Sequence, residues 1–356
     1  MEKFGIGQPV RRKEDVRFVT GTGQYTDDIQ LEGELHGVVL RSPVAHAKIK
    51  SIDTSAAEEA PGVVGVFTAK DIADAGINDI PCAVAGALKN RDGSKIAAIG
   101  RPALAKDKVM YVGDGVAFVV AETVNQAKDA AELIEVDYDD LDAAPTIRTA
   151  MKDGAPQLHE AAPGNVVFDW EMGDQEGTEK AFANAKHISK IDLVHNRIAP
   201  NAMEMRAAIA TYDDEQGYHL QTSTQGANGM QAIIAGMVLG IDPSQLRIST
   251  PDVGGGFGMK TFVYPEHILV LFAAKQLGRP VKWTGERPEA FQSDAAGRDV
   301  LTHCELAIDE NNKVIGMRVE NAANLGGYLS MSGPFIPTIA GTRIMGGVYT
   351  IPSVYV

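Results

Sequence analysis

Cysteine is scarce, with Cys82 and Cys304 the two in 356 residues. They allow at most one disulfide, too little for a disulfide scaffold. A cysteine-ligated iron–sulfur cluster within the chain is excluded as well, because it takes about four thiolates. Long apolar runs are also missing. The longest, 232–241, is about half of what spans a bilayer. The opening stretch MEKFGIGQPVRRKEDVRF lacks the apolar segment of a secretory signal. Positive charge is outweighed, since 33 Lys and Arg face 47 Asp and Glu for a net charge of −14. That balance argues against nucleic acid or an anionic membrane as the main partner, both of which need clustered cations. No HExxH, CxxC or GxSxG pattern occurs. Protein-ligated zinc and serine-hydrolase chemistry therefore have no support. The expectation is a soluble, acidic, cytoplasmic protein with no membrane span.

What is present suffices for a core: apolar residues make up 44% of the chain and charged ones 22%. The length suits two or three domains. Residues 1–30 read as irregular. Strands are expected over 34–41, 48–53, 63–67 and 135–138, with Thr68 capping a short helix. The continuous apolar run 116–121 reads as a buried strand. Thr123 and Gln126 fit a capping box for the next helix. Pro145, Pro156 and Pro163 with Gly154 and Gly164 mark a surface linker. Beyond it, helices are expected over 176–185, 230–239 and 265–277. Strands are expected over 187–195, 206–212, 218–223, 246–250, 301–308 and 314–322. The fold class is α+β, with one domain over 1–140, a linker over 141–173 and a second domain over 174–356. The aspartates around 137–140 read as a solvated strand end, and Glu266-His267 as structural.

The sharpest feature is Thr250-Pro-Asp-Val-Gly-Gly-Gly-Phe-Gly-Met-Lys260. A strand, a glycine loop and a helix recur wherever backbone amides meet an anion. As a phosphate loop the segment lacks one glycine, since Met259 stands before Lys260-Thr261. As a dinucleotide turn, GxGxxG fails at the same methionine. A plain tight turn is the remaining reading from residues alone. Taken singly, Gln225 reads as a surface residue, Phe257 as core, Glu204 as structural, and Arg287 and Arg298 as ion-pair partners.

VGGGFGMK, with Ser223-Thr-Gln225 about thirty residues upstream, resembles the large, molybdopterin-binding subunit of the molybdenum hydroxylases. That family includes xanthine dehydrogenase, aldehyde oxidase and carbon monoxide dehydrogenase. GTGQYTDDI, RSPVAHAKI, NRIAPNAMEMRAAIA and ERPEAFQSDAAGRD resemble further family segments in family order. The resemblance covers essentially the whole chain. It implies an α/β hammerhead-like domain followed by a first molybdenum-cofactor-binding domain, incomplete at its C-terminus. The implied cofactor is a molybdenum–pterin, in the molybdopterin cytosine dinucleotide form.

Residue by residue, Gln225 matches the glutamine that bonds a metal oxygen ligand, and it is the implied catalytic residue. Gly255, Gly256, Phe257 and Gly258 match the cofactor-binding turn, with Phe257 beside the metal and shielding it from water. That role requires the turn to adjoin a cavity. Lys260 is placed to meet a phosphate of the cofactor tail. Met259 and Thr261 depart from the family pattern and remove the acidic contact of purine-oxidising members. An aldehyde, an N-heterocycle or carbon monoxide is then favoured over xanthine. The general-base glutamate and the substrate arginine fall beyond Val356 in the family, so a C-terminal half or a separate chain must supply them. Iron–sulfur and FAD subunits are the implied partners, in a hetero-oligomer. The alternatives are a P-loop-like nucleotide-binding protein and a non-catalytic binding or assembly module of the same fold.

Overall fold

The computed structural model describes residue 7 and residues 9–356. The irregular stretch expected over 1–30 falls partly outside them. Its described part carries a short helix, Asp15–Val19, and a turn, Thr26–Asp28. The strands are β1 (Leu35–Arg41), β2 (Ala47–Asp53), β3 (Val63–Thr68), β4 (Lys108–Val109), β5 (Gly115–Ala121), β6 (Glu135–Asp140) and β7 (His187–Ile198), then β8 (Ala207–Asp213), β9 (Gly217–Thr222), β10 (Leu246–Ser249), β11 (Val281–Thr284), β12 (Gly297–Ile308), β13 (Val314–Ala323) and β14 (Ser353–Tyr355).

Seven of them form one sheet, in the order β10-β9-β8-β11-β1-β5-β3. It takes three strands from before residue 141 and four from after residue 206. The joint is β11, which runs parallel to β1 with Leu35 opposite Val281 and His36 opposite Lys282. Lys282 is buried, and its ammonium donates to the carbonyls of Asp27 at 2.7 Å and Ile29 at 3.0 Å. Those bonds offset the desolvation of a charge inside the joint. β5 is the buried apolar run, with Val116 to Ala121 fully enclosed.

Helix Pro265–Leu277 covers this sheet. Pro265 fits its first turn, where the missing N–H costs nothing. Every residue from Pro265 to Ala274 is buried, and Gly278, at φ 62°, ends the helix. One core cluster joins Leu35, Phe118, Leu220, Ile268, Leu271 and Trp283, so residues from both sides of the 141–173 stretch share an interior. That stretch is fastened rather than free. Ala97 donates to Val167, and Arg91 binds Asp169 at 2.7 Å.

A second sheet runs β14-β13-β12-β7 and a third β4-β2-β6. β7 is exposed along all its residues, including Ile191 and Val194. Among the described residues it pairs with β12 alone. At Thr123 the expected capping box is half made. The Gln126 N–H donates to the Thr123 hydroxyl oxygen at 3.3 Å, but the Gln126 side chain accepts that hydroxyl instead of reaching the Thr123 N–H. The helix expected over 230–239 begins as Ala227–Ile233 and widens into a π turn over Ile234–Leu239 before Gly240.

Candidate functional site

Strand β10 delivers the chain to the glycine loop. Asp252 anchors its entry: its carboxylate accepts the Gln24 N–H at 2.9 Å, and its own N–H donates to the Gln24 carbonyl. The Glu204 carboxylate takes the next hold, accepting the Gly254 N–H at Oε2, 2.7 Å away. A Cβ on Gly254 would lie 2.5 Å from Glu204 Cβ, so glycine is required for that approach.

The turn itself runs through left-handed backbone. φ is +98° at Gly255, +49° at Phe257 and +88° at Gly258. Among the described residues, no hydrogen bond uses the N–H of Gly255, Gly256 or Phe257. Successive unspent N–H groups on an alternating backbone form an anion-binding concavity. Gln225 arrives from the end of β9 and lies against the turn. Its Oε1 accepts the Gly258 N–H at 2.9 Å. A Cβ on Gly256 would come within 2.5 Å of the Gln225 amide carbon. The Gln225 NH2 has no partner among the described residues, and the side chain is exposed. Gln225 and Gly255 to Gly258 are therefore brought together.

These groups suit a molybdenum–pterin. They offer neutral donors to an oxygen-rich, electron-rich group, and the backbone is stripped of side chains where that group must approach. Gln225, Gly255, Gly256, Phe257 and Gly258 are the residues that would hold it.

Three expectations fail here: Phe257 as core, Lys260 at a phosphate, and Arg287 and Arg298 as ion-pair partners. Phe257 is 74% exposed, with φ +49°, so it is not a core residue of this chain. Of the two best-formed cavities, one of about 240 Å³ lies at the Tyr212–Tyr218 hairpin and one of about 10 Å³ beside Asn201 and Phe291, and neither is lined by the loop. A Cβ on Gly258 would meet nothing within 4 Å. Lys260 cannot meet a phosphate tail. Its side chain is wholly buried and donates to Glu204 Oε2 at 2.7 Å. That also removes the lysine a P-loop needs at its phosphates. Finally, Arg287 and Arg298 form no ion pair among the described residues. Arg287 donates instead to the carbonyls of Ala202 at 2.7 Å and Met203 at 3.1 Å, while Arg298 is exposed.

Residues outside the expected set shape the surroundings. Arg206 lies 3.7 Å over the Tyr264 ring and pairs with Glu266 at 2.7 Å. Glu266 pairs also with Arg41, so this buried carboxylate ties the end of β1 to the entry of β8. Burial pulls upward on the Glu266 carboxyl, but the guanidinium groups outweigh it and hold it well below the usual range. The Tyr264 hydroxyl donates to the Met259 carbonyl at 2.8 Å and supports the loop's exit. No residue pattern announces the Arg206 and Arg41 contacts, because each joins positions far apart in the chain.

Two family models match. One, the molybdopterin cofactor-binding domain, covers residues 158–356. The other, the aldehyde oxidase and xanthine dehydrogenase a/b hammerhead domain, covers residues 20–142. The carbon monoxide dehydrogenase large chain of Afipia carboxidovorans is 34% identical over 98% of this chain and 43% of its own length. The nicotinate dehydrogenase large molybdopterin subunit of Eubacterium barkeri is 28% identical over 99% of this chain and 77% of its own. The crystal structure of quinoline 2-oxidoreductase from Pseudomonas putida 86 superposes with a TM-score of 0.89 at 32% identity, covering 98% of this chain and 43% of that one. The chain thus spans less than half the length of several relatives it matches. It belongs to the molybdopterin-binding large-subunit family that includes the carbon monoxide and xanthine dehydrogenases.

Proposed function

We propose that the chain supplies one wall of the molybdenum–pterin site of a hydroxylase that oxidises an aldehyde, an N-heterocycle or carbon monoxide. The observation carrying this reading is the convergence of the Gln225 amide with three unspent N–H groups on a side-chain-free turn. Held by Gln225 and Gly255 to Gly258, a molybdenum–pterin in its cytosine dinucleotide form would supply a two-electron redox centre for hydroxylation with water as the oxygen source. Gln225 donates from its NH2 without adding charge, and its orientation is fixed by the Gly258 N–H it accepts. The amides of Gly255 to Phe257 orient the group without a side chain between.

The remaining wall comes from a C-terminal half or a separate chain. Two features support this. Met203, 89% exposed, and Phe257, 74% exposed, leave apolar surface beside a polar cradle. The Eubacterium relative, with 77% of its length matched, is itself short. Electrons leave through iron–sulfur and FAD subunits in a hetero-oligomer, since two cysteines cannot ligate a cluster. The location is the cytoplasm, and no helix among the described residues is long and apolar enough to cross a membrane.

The open turn also gives weight to a second reading, an assembly module of the same fold. Co-production with its partners under full molybdenum supply separates the two. The hydroxylase reading expects a complex carrying molybdenum, iron and FAD that reduces a dye with at least one of the three substrate classes. A well-folded complex without pterin supports the module.

A further inference from the structure

The Glu204 carboxylate touches both ends of the glycine loop with one oxygen. Its Oε2 accepts the Gly254 N–H and the Lys260 ammonium, each at 2.7 Å. The Glu204 N–H returns a bond to the Gly254 carbonyl at 3.2 Å. Lys260 continues the connection. Its carbonyl accepts the Gln225 N–H at 3.1 Å and the Thr224 hydroxyl at 3.0 Å. Upstream, Arg287 holds the carbonyls of Ala202 and Met203, which fixes the approach to Glu204. A continuous chain of contacts thus runs from Arg287 through Glu204 and Lys260 to the residue whose amide reaches the turn.

Stability alone does not explain this arrangement. The Lys260 side chain is 0% exposed and that of Glu204 10%. A buried ion pair returns little net stability over an apolar pair of the same volume, while breaking one partner is costly. Among the described residues, Glu204 Oε1 is buried with no hydrogen-bond partner. A pair of this kind suits the fixing of geometry better than the adding of stability.

We infer that Glu204 and Lys260 are positioning residues, a buried clamp that closes the glycine loop and sets the Gln225 amide against it. The inference rests on the reading of Gln225 as a cofactor contact. The charge pair draws residues 254 and 260 together, and the Gln225 backbone is hung from the clamped end. Gln225 Oε1 then meets Gly258 N–H without searching other rotamers.

The test uses the assembled complex with Glu204→Gln/Lys260→Met, which removes both charges together and leaves an amide oxygen for Gly254. Gln225→Ala is measured beside it. Amide hydrogen exchange across 254–260 reports the clamp directly. The double variant is expected to melt near the wild type. Its Gly258 amide should exchange on the order of tenfold faster, and kcat should fall by about tenfold or more with KM nearly unchanged, as misplacement of a positioned group does. Molybdenum content should fall with it. Wild-type exchange at Gly258 together with wild-type kcat, while Gln225→Ala slows turnover, overturns the clamp alone. An inert Gln225→Ala overturns the reading of Gln225, and Gly258 exchange in the double variant still decides the clamp. If the double variant does not fold, Lys260→Arg keeps the charge but moves its head. Slower turnover and faster Gly258 exchange there support the clamp, and wild-type behaviour refutes it.

Discussion

The side-chain oxygen of Gln225 accepts the main-chain N–H of Gly258 at 2.9 Å, across 33 residues of sequence. That bond settles which end of the amide is spent. The oxygen faces the turn and the NH2 is left to donate. Gln225→Ala should therefore act on chemistry more than on folding. The side chain is exposed, and the lost bond costs about 1 kcal/mol. Turnover of the assembled enzyme should drop by roughly 10²-fold, the scale of a lost polarising donor. Steady-state kinetics beside a melting curve checks both halves of this expectation.

Gly256→Ala should reproduce the same defect by another route. The new Cβ would sit 2.5 Å from the Gln225 amide carbon and push that side chain away. Because both changes act through one contact, Gly256→Ala/Gln225→Ala should be little worse than Gln225→Ala alone. Additive losses in the double variant would show that Gly256 matters for something else.

Two buried groups give opposite pH slopes. Burial and the Arg206 charge push His267 down to about 3. Its Nδ1 accepts the Tyr264 N–H at 3.1 Å, a bond that protonation would break. Below its ordinary value the unfolded chain takes a proton that the folded chain refuses, so His267 makes stability rise with pH from about 3 to 6.5. Burial pushes Asp114 up to about 6, where it accepts the Met110 N–H at 3.0 Å. There the folded chain keeps the extra proton, so Asp114 makes stability fall as pH rises from about 4 to 6. The two cancel across that window. Asp114→Asn should unmask His267, giving a rise of about 1.4 kcal/mol per pH unit between about 4 and 6. Denaturant titrations at several pH values check this, and a flat profile in the variant would contradict it.

Glu266 accepts from Arg206 at 2.7 Å and Arg41 at 2.6 Å inside the protein. Glu266→Ala leaves two guanidinium groups without their shared anion and should cost about 3–5 kcal/mol. With β1 and β11 paired in one sheet, melting should remain a single transition. Two separate transitions by calorimetry would show that the halves unfold independently.

Much of the fold was legible because its signals are local. The run 116–121 is apolar without interruption and forms the enclosed part of β5. Helix 265–277 announced itself by Pro265, its apolar body and Gly278. The joint was not legible. β11 is four residues long with Lys282 inside it, and its burial depends on carbonyls of Asp27 and Ile29 more than 250 positions away. The site divides the same way. The glycine turn and Gln225 stood out by resemblance and do meet. Lys260 was misread, because sequence cannot tell a lysine facing a ligand from one held by a distant glutamate. Phe257 was misread as core because an aromatic residue is ordinarily buried, whereas here it stands exposed on the turn.

The most direct test of the turn's role is the molybdenum and pterin content of the purified complex, wild type beside Gly258→Val. The space beyond Gly258 is open to a Cβ, which would meet nothing within 4 Å, though its φ of +88° strains the new residue. Near-stoichiometric molybdenum and pterin in the wild type, and very little in a folded variant, is the expected result. Equal loading of both proteins would mean that the turn does not touch the cofactor.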